Sequence, residues 1–286
     1  MILSGQHYDS IKPTDIPLTF WEGCPSPQDK RVFIKPNLVT PPTKWDKAST
    51  TRIEVTELVI QYLIGQGCKE IIVGDCGFKD QWESTIQLSG YDQLPLRYPQ
   101  VTLIGLQEGP RFHEFTLQRL DGYMSLYGAK ISDVVLSCDF VINIPKLKVH
   151  KMALVTGAIK NCMGMMAQKG SMHPRSAIDI LHKRLHDLYF LMRGRVGFCV
   201  LDGIEGSEYS EQYGVPKYAG ILLSTKDMYE MDIEASFIMG IHPRNVGYLR
   251  YITKTLGILI DPNYQPNELV TPFEIPLGYR HYIQVR

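Results

Sequence analysis

Residues 143–164 read NIPKLKVHKMALVTGAIKNCMG, with Lys146, Lys148, His150 and Lys151 ahead of an apolar, glycine-containing run and Lys160 inside it. Ammonium groups this close together suit a carboxylate or phosphate. Imidazole is the side chain that titrates near neutrality without help, so His150 is the candidate acid or base. Gly157 and Ala158 let the backbone approach a ligand closely, and amides at a tight turn or helix start cradle an anion. Lys160 would then pair with that anion, or act as a nucleophile if desolvation lowers its pKa. The competing reading of MALVTGAIKNCMGMM is a buried helix with one snorkelling lysine.

Three further segments carry polar groups. KPNLVTPP supplies Lys35 and Asn37, GDCGFKD supplies Asp75 and Cys76, and DGIEGSEYSEQYG supplies Asp202, Glu205 and Glu208 in an acidic, glycine-containing loop. Such a loop holds a divalent ion, orients a hydroxylated substrate, or is a plain turn. In HPRSAIDILHKRLHD, Asp179, His182 and His186 share one helical face, and two histidines four apart can bind a metal. The companion stripe Ile178, Leu181, Leu185 and Leu188 faces the core, and His173 would cap or feed the site.

The elements that must position these groups follow a β/α rhythm. RVFIKPN at 31–37 reads as a buried strand, RIEVTELVIQYLIGQG as a helix with Val55, Leu58, Val59, Tyr62 and Leu63 on one face, and EIIVGD at 70–75 as the next strand. That is a βαβ unit with a right-handed crossover. Strand-like runs follow near Val101, at 133–145, from Gly197 and from Ala219, alternating with helices at 174–191, 227–239 and about 244–256. The expected fold is α/β, a mostly parallel sheet with helices on both faces. A single domain, 1–286, is expected, with a surface wrap from about 257. Ligands of such sheets collect at the carboxyl ends of the strands, where loops converge, and KPNLVTPP, GDCGFKD, PKLKVHK and DGIEGSE fall there.

Lysine plus arginine and aspartate plus glutamate both count 30, so no overall field attracts a polyanion and nucleic acid is not expected. No segment has the length and apolarity of a membrane span, and the N-terminus lacks a signal pattern, which predicts a cytoplasmic protein without a membrane partner. The six cysteines are scattered, outside ligand-run spacing.

The motifs VFIKPNLV, GCKEIIVGD, DFVINIPKLKVHKMALVTGAIKNCMG, VLDGIEG and ILLSTKDMYEMDIEASFIMGIHP, in that order from about residue 31 to 256, resemble the bacterial and archaeal domain-of-unknown-function family numbered 362. Many members add a ferredoxin-like cysteine run. This chain lacks it, so no intrinsic ferredoxin-type cluster is expected. HKMALVTGAIK is more distantly similar to the nickel-pincer lactate racemases, which would give His150 the place of a catalytic histidine and Lys160 that of the cofactor-bearing lysine. Where those enzymes place a second catalytic histidine, this chain reads GDCG at 74–77, which argues against two-sided racemisation.

These readings converge on an enzyme for a small anionic metabolite, isomerase- or lyase-like. Lys35, Asn37, Lys146, Lys151, Asp75 and Gly157 would bind substrate, and His150, Lys148 and Lys160 would perform proton or hydride transfer beside a carboxylate or carbonyl. Its cofactor, if it has one, would be a divalent metal or a nickel-pincer-like group. Two alternatives stand beside it: a metal-dependent or redox protein using Cys76, Cys138 or Cys162 with His150, His182 and His186, and a noncatalytic module for a phosphorylated ligand.

Overall fold

Nearly every strand of this chain alternates two apolar environments, and that alternation dictates a sheet buried on both sides. The computed structural model describes residues 1–42, 48–107, 112–115, 125–126, 129–166, 178–261 and 271–276. Its elements begin with β1 (Ile2–Leu3), β2 (Arg31–Pro36), α1 (Ile53–Gly65) and β3 (Glu70–Asp75). Next come α2 (Trp82–Leu88), α3 (Leu94–Arg97), β4 (Val101–Gly105), and the small antiparallel pair β5 (Phe112–Phe115) and β6 (Ala129–Ser132). The central stretch runs α4 (Asp133–Leu136), β7 (Phe140–Ile144), β8 (Lys146–His150), β9 (Leu154–Thr156) and α5 (Ala158–Asn161). The chain continues through α6 (Ile178–Met192), β10 (Val196–Glu208), β11 (Val215–Thr225), α7 (Met228–Ile238) and α8 (Gly247–Leu256).

The main sheet has the order β1-β11-β10-β7-β2-β3-β4, with β8 beside the far half of β10 and β9 beside β8. The pairs β10·β7, β10·β8, β7·β2, β2·β3 and β3·β4 are parallel; β1, β11 and β9 join antiparallel. The fold is therefore α/β with a mostly parallel sheet. Val32, Ile34, Ile71, Val73, Ile142 and Val200 enter one core with Val55, Leu58 and Val59 of α1. Phe33, Ile72, Val141, Cys199 and Leu201 enter the other, with Leu181 and Leu185 of α6, Met231 of α7 and Leu249 of α8. Helices thus cover both faces, as buried parallel strands require.

Three local differences from the sequence expectation matter. The apolar run at 133–145 is two elements, because 133–136 forms the helical turn α4 and only 140–144 continues as a strand. KLKVH, expected as a loop, is β8: Leu147 and Val149 enter a core while Lys146, Lys148 and His150 alternate to the opposite side, the period-two pattern of a strand. DGIEGSE is likewise the second half of β10, paired with β11 across a shift in register between Gly203 and Glu205. From the expected C-terminal wrap, Thr271 and Phe273 donate backbone hydrogen bonds to Ile238 and Met239, and Phe273 is buried. Residues 262–270 and 277–286 lie outside the described part, as do His173 and the start of the helix expected at 174.

From β2 the chain winds outward through β3 and β4, then returns to β7 and β10 on the other side, so order reverses between β2 and β7. The crevice beyond the carboxyl ends of those two strands is where such folds collect ligands. It is crossed by buried ion pairs, Lys35 Nζ to Asp75 Oδ1 at 2.8 Å and Lys146 Nζ to Asp202 Oδ2 at 2.8 Å. Removing one member of a buried pair strands its partner, so Lys146→Ala should lower the free energy of unfolding by about 3–5 kcal/mol. Lys183→Ala, which breaks the exposed α6 pair with Asp179, should cost under about 1 kcal/mol. Urea denaturation of the two variants measures both.

Candidate functional site

In register, Lys35 of β2 lies opposite Asn143 of β7, and the amide of Asn161 from α5 closes over both. Asn161 Nδ2 donates to Lys35 O at 3.0 Å and to Asn143 Oδ1 at 2.7 Å. Its Oδ1 accepts from Lys35 Nζ at 3.2 Å and from Asn37 Nδ2 at 2.9 Å. All four polar valences of that amide are used. Asn143 Nδ2 donates to Ala158 O, Lys148 Nζ donates to Asn37 Oδ1, and Leu38 N donates to Asp75 Oδ2. Gly164 is required here, because a Cβ would fall 1.9 Å from Asp75 Oδ1. Lys35, Asn37 and Asp75, expected on substrate, are thus committed to the protein's own interior.

Lys146 belongs to a second closed cluster. Its Nζ donates to Tyr8 OH at 2.7 Å as well as pairing with Asp202, Tyr8 OH donates to Asp202 Oδ1 at 2.7 Å, and Arg52 N donates to Asp202 Oδ2 at 2.9 Å. Burial pulls the Lys146 ammonium below its usual pKa, against the pull of Asp202, and pushes the Tyr8 phenol well above its own. Asp75 and Asp202 each hold one end of the β2–α1 connection, at Leu38 and Arg52. A cleft of about 500 Å³ lies beside it, lined by Thr50, Thr51, Arg52, Glu54, Ser89 and Gly90 among others. Its cation is already engaged, since Arg52 Nη2 is 2.8 Å from Glu54 Oε1.

His150 ends β8 in a different setting. Its Nδ1 accepts from the amides of Met152 and Ala153, both at 3.0 Å, so the neutral tautomer carries its proton on Nε2. Nε2 faces Glu211 Oε1 at 3.8 Å, an approach too long for a hydrogen bond. Lys151 Nζ is 3.5 Å from the same oxygen, and Lys151 N donates to Glu211 Oε2. Glu211 lies in the β10–β11 turn, and its backbone oxygen accepts from Lys148 Nζ at 3.1 Å. That lysine also donates to Ser49 O at 2.7 Å. One turn therefore meets three residues of β8 and its end. Nothing in the sequence distinguished Glu211 from its neighbours Glu205 and Glu208.

The Gly157 turn holds an anion, but an internal one. Ala158 N and Ile159 N donate to the carboxylate of Asp232 on α7, and Tyr248 OH donates to the same group at 2.9 Å. A Cβ at residue 157 would stand 1.9 Å from Asp232 Oδ1, so the glycine makes room for this side chain rather than for a ligand. Burial pushes the Asp232 carboxyl up to about 7, against these three donors. Lys160, half-buried, sits on the turn so fixed. The sequence signal for Asp232 was an acid in step with Met228 and Ser236 on a helix whose Met228, Met231 and Ala235 enter the core.

The histidine face of α6 is divided among separate partners. His182 Nδ1 accepts from Tyr248 N at 3.1 Å, while His186 is held between Asp187 at 2.9 Å and Thr255 at 2.8 Å. Asp179 pairs with Lys183 and accepts from Tyr251 OH. Among the described residues, no group of three or more His, Cys, Asp or Glu side chains is arranged to hold a metal. Burial raises the thiols of Cys138 to about 11 and Cys162 to about 12, which keeps both in the unreactive protonated form. Cys138 also precedes β7, at the sheet edge opposite His150.

Tyr248 thus joins two buried titrating groups of opposite sense. Burial, reinforced by Arg250, lowers the His182 pKa to about 4, so its stabilising contribution is present above its unfolded value of about 6.5 and is lost as pH falls toward 4. Asp232, raised to about 7 from roughly 3.9 when unfolded, contributes most at low pH and loses that contribution as pH rises toward 7. Between about pH 4 and 6.5 the two oppose each other. Relative to wild type, Asp232→Asn should lose stability on acidification through this window and His182→Gln should gain it, read from urea midpoints at four or five pH values.

Among the described residues no helix is long and apolar enough to cross a membrane. The chain is 26% identical over 250 residues to the thylakoid-associated protein sll1697 of Synechocystis sp., an alignment that spans 84% of this chain and 74% of that protein. The profile of the Domain of unknown function (DUF362) matches residues 32–236, from β2 through most of α7 and including Lys35, His150, Glu211 and Asp232. With most of its length under that profile, the chain belongs to the DUF362 family.

Proposed function

We propose that the protein is an enzyme acting on a small anionic metabolite by moving a proton next to a carbonyl or carboxylate, isomerase- or lyase-like. The observation that carries this reading is His150. Two backbone amides hold its Nδ1 as an acceptor, and its Nε2 side lies beside the Glu211 carboxylate, 3.8 Å away, at the carboxyl end of β8. A neutral imidazole fixed in that tautomer donates a hydrogen bond to a developing oxyanion, and a rigid donor of this kind stabilises an enolate-like transition state without reorganising. Lys151, exposed beside it, supplies a cation for the substrate's own negative charge.

The buried lysines serve this reading indirectly. Lys148 ties β8 to Asn37, Ser49 and the Glu211 backbone, holding His150 and its facing turn in register. Lys35 and Lys146 stiffen the strands beneath. Lys160 is half-buried on the Asp232-held turn.

The test is solvent exchange, which needs no knowledge of the product. Purified protein in D2O is incubated with 2-oxoacids and 2-hydroxyacids of two to six carbons and with triose phosphates, and proton NMR follows loss of signal at carbon adjacent to the carbonyl or carboxylate. Wild type should exchange one class, and His150→Ala should lose at least about 100-fold in rate with an unchanged circular dichroism spectrum. No exchange by wild type in any class would overturn the reading.

A further inference from the structure

We infer that the cleft beside the β2–α1 connection binds a small organic oxyanion, a carboxylate or a phosphate monoester, on the guanidinium of Arg52. Such a site goes beyond the proton-transfer reading and stands or falls without it.

The cleft has about 500 Å³, a size typical of small-molecule sites. Its wall is set before any ligand arrives. Thr51 N donates to Asn37 O, Thr51 Oγ1 to Ile144 O and Thr50 Oγ1 to Thr40 O, while Thr51 O accepts from Tyr91 OH. The same segment is tied inward, where Arg52 N donates to Asp202. A ligand therefore meets a rigid surface, and Arg52 is its cation.

That guanidinium is oriented without being used up. Its central carbon stands 4.4 Å from the centre of the Tyr8 ring, which packs one face. Nε at 3.2 Å and Nη2 at 2.8 Å donate to the two oxygens of Glu54, a side-on fork. Among the described residues Nη1 has no hydrogen-bond partner, and the side chain keeps 28% exposure. A planar cation fixed by a ring on one face and a carboxylate on one edge presents its remaining N–H groups in a set direction, which suits a second oxyanion end-on. Lys146, by contrast, is enclosed between Tyr8 and Asp202.

Glu54 is as exposed as Arg52, and a pair this exposed is weak. It acts as an internal competitor that a ligand oxyanion joins or displaces. The rest of the lining says what the anion is attached to. Pro42, Ile53 and the largely exposed Leu88 offer apolar surface in the same cleft. A single charged head on a short apolar body matches that surface, whereas a bare inorganic ion leaves it unused and a polyanion is repelled by Glu54.

Isothermal titration calorimetry at fixed ionic strength tests the site with hexanoate, glycerol 3-phosphate and inorganic phosphate, chloride serving as the control, on wild type, Arg52→Gln, Arg52→Lys and Glu54→Gln. Wild type should bind hexanoate or glycerol 3-phosphate more tightly than inorganic phosphate, and the tighter of the two tells a carboxylate site from a phosphate site. Arg52→Gln, which keeps the backbone bond to Asp202, should weaken binding at least about tenfold. Arg52→Lys retains the charge without the fork and should recover only part of that loss. Glu54→Gln should tighten binding about two- to fivefold by removing the competitor, a gain that a purely structural Arg52 would not give. If circular dichroism shows Arg52→Gln unfolded, Glu54→Gln carries the test alone. Equal affinity in Arg52→Gln and wild type, weaker binding by Glu54→Gln, inorganic phosphate bound as tightly as both organic probes, or no binding of either organic probe overturns the assignment, whatever the exchange assay gives.

Discussion

The carboxyl edge of this sheet is governed by one constraint: charge carried into the crevice between β2 and β7 must be neutralised there, because water does not reach it. Lys35, Asn143 and Asn161 are almost wholly excluded from solvent. An ammonium in such a place is tolerable only with a carboxylate and further acceptors around it. Asp75 supplies the charge, Pro36 O and Asn161 Oδ1 supply the acceptors, and Asn161 in turn satisfies the Lys35 carbonyl and Asn143. The consequence reaches outward. Asp75 uses its second oxygen on Leu38 N, Asn37 bonds Lys148, and Lys148 holds the turn that carries Glu211. The position of the rim is set by the chemistry of the floor.

Much of the architecture was legible because it follows from periodicity. The β2–α1–β3 unit, the strand at β4, the core strand β7 and the helices α7 and α8 correspond to apolar runs or helical stripes in the sequence. What was misjudged has a physical cause in each case. KLKVH alternates charged and apolar residues, the pattern of a strand with one apolar side, but its charge drew it into a loop. The lysines could be strand residues only because Asp202, Asn37 and the Ser49 and Glu211 carbonyls wait for them, partners tens of residues distant that no local window contains. DVVLS joined the β7 run in the sequence reading because Val134, Val135 and Leu136 are as apolar in a helical turn as in a strand.

The site was legible at the level of which strand ends matter and not at the level of which side chains act. Lys35, Lys146 and Asp75 were expected to face a substrate. They pair instead, Lys35 with Asp75 and Lys146 with Asp202, since two opposite charges brought into low dielectric attract far more strongly than either attracts a distant ligand. The same logic captures the Gly157 turn. Its amides do bind a carboxylate, as the glycine suggested, but Asp232 from α7 arrives covalently tethered and at high effective concentration. A histidine on an amphipathic helix was likewise a weaker sign of metal than of a polar residue finding a neighbour: His182 and His186 each found one.

The division between sealed and rim-lying groups also explains why a fold of this kind would spend buried charge on support. A site built at this rim needs its groups held in fixed positions, since small displacements cost rate steeply. His150 is fixed through its own Nδ1 to the amides that follow it, which sets ring orientation by local geometry. Glu211 is on a hairpin turn, an element that by itself would be loose. Lys148 removes that freedom by bonding the turn's backbone to β8 with three acceptors from three separate segments, Asn37, Ser49 and Glu211. Had Lys148 instead faced a substrate, the carboxylate opposite His150 would have lost its hold. The lysine that the sequence marks as chemical is, in this arrangement, the tie that holds the turn carrying the less conspicuous glutamate.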